Sequence, residues 1–197
     1  MNLANKITIS RLFLTVIIVL LLLFPFESAG ISFTNLFINE LIVVNVKYLI
    51  AGILFAIALL TDYLDGYVAK KYNIITENGK MLDNLVDKML IDSVLIVLSS
   101  QGFLHSIIPI LVIGRDCVVN AIRMAALRNE KTLKSVKTGK AKNIMLKIGI
   151  LLTLFYNLPF ELYNINVSDI FLIVGTVLAI ISCMQYYNDN RKKIVIQ

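Results

Sequence analysis

The amino-acid sequence predicts an all-α protein, a polytopic bundle of six transmembrane helices with both termini on the cytoplasmic side. Three observations lead there. The 197 residues are 58% hydrophobic with mean hydropathy +0.80. Only 16% are charged, against roughly 25% in an ordinary soluble domain. Long apolar windows recur along the chain, and lysine and arginine fall almost wholly on one set of connections between them.

A bilayer core takes about 20 apolar residues per helix, so a chain of this length holds roughly five to seven spans and no separate soluble domain. The windows place helices at 8–26, 40–61, 82–103, 105–127, 140–159 and 166–187. The first is expected to be retained, since Leu12 to Phe26 runs into Glu27 and Ser28 without the small-residue pattern of a cleavage site. Neither a flexible linker nor a repeat interrupts the rest, so residues 1–197 read as one domain. Cys117 and Cys183 lie in apolar stretches as small packing residues, which argues against a disulfide or a thiolate-bound metal.

With six spans, Lys6, Arg11, the 70–88 stretch, the 115–147 stretch and Arg191, Lys192 and Lys193 share one side, and Lys47 stands on the other. Short cytoplasmic loops keep such an excess, which orients the bundle in the cell membrane. The same bias accounts for much of the net charge of +6, so a pI near 9.3 is no argument for a nucleic-acid partner.

The informative segment runs from Asp62 to Asp87. Asp62 and Asp65 are three apart, and Asp83 and Asp87 are four apart, so each pair projects from one helical face. Should the connection bring the helix ends together, the four acids converge. An aspartate at mid-bilayer costs about 2.5 to 3.5 kcal/mol, and clustered carboxylates repel, so the group needs cations. Oxygen donors in this number suit Mg2+, Mn2+ or Ca2+, and two such ions bridged by carboxylates suit phosphoryl chemistry. Gly66 and Gly79 leave room for a bulky ligand beside the backbone. The plainer reading is a cytoplasmic loop whose acids are neutralised by Lys70, Lys71, Lys80 and Lys88.

Arg115 and Arg123 are eight apart, on roughly one helical face, and an arginine in an apolar run usually has a partner or a ligand. A structural ion pair between Arg115 and the acids is a third possibility. His105, the only histidine, falls on the external side. No Ser-His or Cys-His arrangement is therefore available for a covalent intermediate. A cation transporter would carry its acids in mid-span beside broken helices, whereas here they cluster towards one surface and Pro25, Pro109 and Pro159 lie elsewhere. A non-catalytic scaffold gives no reason for these acids and glycines at these intervals.

Written as a pattern, residues 62–87 read D-x2-D-G-x2-A-K-x8-G-x3-D-x3-D, which resembles the signature of the CDP-alcohol phosphatidyltransferases. Lys70 stands where that family carries arginine, keeping the charge without the planar two-pronged donor. Asn5-x2-Thr8-x2-Arg11, Gly114-Arg115-Asp116 with Arg123, and Gly139-Lys140-Ala141-Lys142, with Asn143 in place of a threonine, resemble further stretches of its members that use sn-glycerol 3-phosphate. The last two spans match only in hydrophobic character.

The resemblance implies that the hydroxyl of glycerol 3-phosphate attacks CDP-diacylglycerol by direct displacement and releases CMP. It implies two divalent cations, Mg2+ or Mn2+, on Asp62, Asp65, Asp83 and Asp87, with Asp87 as general base. It implies a CDP site at Asp62, Gly66, Ala69, Lys70 and Gly79, with Asn5 and Thr8 as hydrogen-bonding partners or, equally, as helix caps. The acceptor phosphate would meet Arg115, Arg123, Lys137, Lys140 and Lys142, although the lysines also satisfy the positive-inside bias. A homodimer is implied as well. Inositol phosphate, serine, choline or phosphatidylglycerol as acceptor would use the same metal site.

Overall fold

The computed structural model describes residues 3–26, 30, 33–38, 42–71, 77–128, 137–163 and 165–194, with side chains at most of these. Six α-helices carry the architecture: α1 (Leu3–Leu23), α2 (Val46–Lys71), α3 (Glu77–Ser100), α4 (Ile107–Arg128), α5 (Lys137–Leu154) and α6 (Val167–Ile194). The structure therefore has the expected helical class, with one addition. Residues Asn35–Ile38 (β1) and Ile42–Asn45 (β2) pair antiparallel, Asn35 opposite Asn45 and Ile38 opposite Ile42.

That hairpin moves the start of the second helix from 40 to Val46. Ile42, Val43 and Val44 are β-branched and favour a pleated surface. Asn45 then caps α2, its Oδ1 accepting a hydrogen bond from Lys47 N at 2.9 Å. At its other end α2 runs ten residues past the expected limit, so Asp62 lies on helical backbone, followed by Asp65 and Gly66.

α1 packs on α2 and α3, α6 on α4 and α5, and α2 and α3 touch α5. Ile18, Leu22, Phe55, Leu90, Leu95, Leu98, Leu146, Ile150 and Leu172 fill the shared interior without exposure. α5 and α6 approach closely through reciprocal notches. A Cβ added to Gly149 would stand 2.8 Å from Leu172 Cγ, and one added to Gly175 would stand 3.0 Å from Leu146 Cγ. Small residues at such crossings let helix backbones meet where lipid offers no hydrophobic drive to association.

Polarity is reversed relative to a soluble protein. Arg11, Asp116 and Lys142 are buried, while Phe13, Leu20, Leu60, Ile110, Ile144 and Ile173 are exposed around the outside. So much exposed apolar surface is the signature of a lipid-facing bundle. Val46–Tyr63 and Val167–Asn190 are long and apolar enough to cross a membrane, and Thr8–Leu23 is a shorter apolar helix. Helices α3, α4 and α5 carry charges along their length, and many of those pair inside the bundle.

Tyr48, Phe103 and Tyr156 meet ring to ring, with centroids 4.7 to 5.7 Å apart. They gather the start of α2 and the α3–α4 and α5–α6 connections at one end of the bundle. Asp62, Asp83 and Asp87 lie at the opposite end.

Candidate active site

Three of the four motif aspartates meet around two buried cations. Asp62 comes from the C-terminal half of α2, and Asp83 and Asp87 face it from the N-terminal half of α3. Arg11 Nη1, on α1, donates to Asp62 Oδ1 at 2.8 Å and to Asp83 Oδ1 at 2.9 Å. Lys147 Nζ, on α5, lies 2.9 Å from Asp62 Oδ2 and 2.6 Å from Asp87 Oδ1. Two carboxylate oxygens sharing one nitrogen can be no further apart than two hydrogen bonds end to end. Asp62 is the hinge of the group, because one of its oxygens serves each cation.

The Arg11 side chain is fully buried and that of Lys147 is largely so. A buried charge survives only when paired, and among the described residues each of these has at least two carboxylate partners. Among the described residues the neutralising cations are Arg11 and Lys147, and not the Lys88 expected from the local sequence. Lys88 instead donates to Asn120 Oδ1 on α4 at 2.9 Å, and the side chains of Lys70, Lys71 and Lys80 lie outside the described residues.

Asp65, Gly66, Ala69 and Lys70 continue α2 beyond Asp62, with side-chain placement outside the described residues. Gly79 is half-buried in the first turn of α3, and Thr8 is buried on α1 one turn before Arg11. Asn5 lies within α1 rather than ahead of it, which removes it as a cap for that helix. The carboxylates present an all-oxygen donor set of the hard kind that suits Mg2+ or Mn2+. Among the described residues they meet in pairs, not as three acids around one point.

A second polar group occupies the α4–α5–α6 side. Arg115 Nη1 donates to Asp116 Oδ1 at 2.6 Å, and Arg115 Nε and Nη2 donate to Ser182 Oγ at 3.1 and 2.8 Å. Lys142 Nζ donates to both oxygens of Asp116 at 3.0 Å. Gly139, in the first turn of α5, lies so near that an added Cβ would stand 3.3 Å from Arg115 Nη2. Arg115 is thus paired with Asp116 and Ser182, not with the motif aspartates described here. Lys140 and Arg123 are exposed, and the Lys137 side chain lies outside the description. His105 is exposed beyond the far end of α3, away from both groups.

Arg11, Lys147, Asp116 and Ser182 had no assigned role in the sequence reading. Lys147 and Asp116 carried a signal all the same, since a charge inside an apolar run implies a buried partner. Ser182 carried none, and only the crossing of α4 and α6 reveals it.

A helical bundle with exposed apolar faces, in which acids from adjoining helices gather around buried cations, defines an integral membrane protein with a polar cluster inside the bundle. The family model for CDP-alcohol phosphatidyltransferase matches residues 1–181, and the chain belongs to that family. It is similar to the CDP-diacylglycerol–glycerol-3-phosphate 3-phosphatidyltransferase of Bacillus subtilis (strain 168), 33% identical over 96% of this chain and 95% of that protein. The protein of the same name from Mycoplasma pneumoniae is 33% identical over 78% of this chain and 68% of its own length. That from Rickettsia bellii is 26% identical over 97% and 96%.

Proposed function

We propose that this protein transfers the phosphatidyl group of CDP-diacylglycerol to sn-glycerol 3-phosphate, releasing CMP and forming phosphatidylglycerol phosphate. The observation that carries this is the meeting of Asp62, Asp83 and Asp87 from two helices, within a chain whose family and relatives are named for the reaction. In this reading Asp62, Asp65, Asp83 and Asp87 hold two divalent cations, Mg2+ or Mn2+. Bound there, such ions would supply positive charge against the diphosphate and against the negative charge that develops on departing CMP.

The chain's own residues do the rest. Asp87, half-buried and aimed at the cluster, accepts the proton of the acceptor hydroxyl. The hydroxyl oxygen bonds to the β-phosphorus as the bond from that phosphorus to the CMP oxygen breaks. No enzyme nucleophile intervenes. Asn5, Thr8, Gly66, Ala69, Lys70 and Gly79 flank the cytidine diphosphate, and glycine at 66 and 79 keeps the helix surface low where the nucleotide lies.

The acceptor phosphate is assigned to Arg115, Arg123, Lys137 and Lys140, with Lys142 joined to the same group through Asp116. Arg115 beside the first turn of α5 supports this, because helix N-termini present backbone N–H groups to anions. Such a pocket favours a phosphorylated alcohol over serine or choline. The reading extends to six spans, cytoplasmic termini, a cytoplasm-facing site in the cell membrane, and a homodimer.

The test gives purified protein CDP-diacylglycerol with each candidate acceptor, with and without Mg2+ or Mn2+, and measures CMP. Release with glycerol 3-phosphate and a divalent ion is expected. Release only with another acceptor would sink the assignment of substrate.

A further inference from the structure

We propose that Asp116 and Ser182 are positioning residues that aim the guanidinium of Arg115 at the acceptor phosphate. This deepens the acceptor reading above and rests on it. Neighbouring residues on a helix point about 100° apart, so Arg115 and Asp116 do not face each other by default. Arg115 Nη1 nonetheless reaches Asp116 Oδ1 at 2.6 Å, which folds the side chain back along α4. Ser182 takes the opposite edge, accepting from both Nε and Nη2. Its own hydroxyl hydrogen is committed to Ala179 O at 2.8 Å, so its lone pairs are what it offers the arginine.

The clamp uses three of the five guanidinium N–H groups, leaving one on Nη1 and one on Nη2 unclaimed among the described residues. Nη2 is also the atom beside Gly139 at the start of α5. The guanidinium is therefore held from two sides with donors left over, the arrangement that pre-organises an arginine for an oxyanion. Lys142 completes it from below. Its buried ammonium bonds both Asp116 oxygens and fixes that carboxylate in place inside the bundle.

The experiment measures initial rates of CMP release from the full-length protein in lipid nanodiscs, varying each substrate while the other is saturating. Asp116→Asn is expected to raise KM for glycerol 3-phosphate about tenfold, since one charge-assisted hydrogen bond is lost, with KM for CDP-diacylglycerol within about twofold of wild type. Ser182→Ala should shift the same constant by about threefold. This second variant removes no charge and carries the test should Asp116→Asn not fold with Lys142 left unpaired.

A positioning role also predicts coupling. In an Arg115→Ala background, Ser182→Ala and Asp116→Asn should change kcat/KM for glycerol 3-phosphate by less than about twofold, because what they aim is gone. Effects that multiply with Arg115→Ala, or that raise both substrate constants equally, would overturn the proposal and leave a structural role. Wild-type protein that uses a different phosphorylated alcohol would sink the substrate assignment instead, and the coupling would then be read on that acceptor.

Discussion

Arg11 spans the gap between Asp62 and Asp83, and Lys147 spans that between Asp62 and Asp87, so the chain itself sets two positive charges among these three acids. Removing Arg11 leaves two carboxylates facing each other beside a hole the size of a guanidinium. Breaking one side of a buried ion pair costs about 3 to 5 kcal/mol, and the partial exposure of Asp62 and Asp83 puts Arg11→Met at or below the lower figure. A divalent ion on the same acids would restore part of this by binding only the folded state. Arg11→Met is therefore expected to melt well below wild type in chelator and to recover part of the difference in Mg2+. A melting point independent of both would break the link between Arg11 and the acids. Asp83→Asn should lower CMP release about a hundredfold or more, as loss of a group that stabilises transition-state charge does, and near-normal turnover would remove Asp83 from the metal site.

Among the elements, α5 bears the most, because Gly139, Lys142 and Lys147 place it in both polar groups while its other face locks onto α6. Gly149→Ala forces a methyl against Leu172, whose backbone N would lie 3.2 Å away, so the helices must part. Over-packing of this kind costs about 1 to 3 kcal/mol. The expected result is a lower melting temperature with reduced CMP release, relieved by adding Leu172→Ala. Failure of the second change to restore either would show that the notch does not set the helix spacing. The six helices were legible in the sequence because hydropathy is a local property, and the four-aspartate spacing was legible because helical periodicity is too. The β1–β2 hairpin was not, since Ile42, Val43 and Val44 are as apolar as a helix and only pairing with residues 35–38 distinguishes them. Arg11, Lys147 and Ser182 find partners 51 to 85 residues away, and no local pattern encodes contacts of that reach.

At the scale of the whole molecule the two ends of the bundle differ in chemistry. One end holds Tyr48, Phe103 and Tyr156 in mutual contact, with Lys47 beside Tyr48, and the other holds Asp62, Asp83 and Asp87 and most of the basic residues. Aromatic rings settle at either membrane interface and mark an end without orienting it, whereas the retention of lysine and arginine on the cytoplasmic side supports the orientation proposed above. A site at the basic end also suits the proposed reaction, whose acceptor and CMP are water-soluble and whose lipid partners stay in the bilayer. The orientation is testable without any activity measurement. In a background with Cys117→Ser and Cys183→Ala, His105→Cys and Tyr163→Cys mark the aromatic end, and Met81→Cys marks the acidic end; all three positions are exposed. A membrane-impermeant maleimide applied to intact cells should label residues 105 and 163 and reach residue 81 only after permeabilisation. Labelling of residue 81 in intact cells would invert the bundle and move the carboxylates away from the compartment in which the positive-inside bias places them.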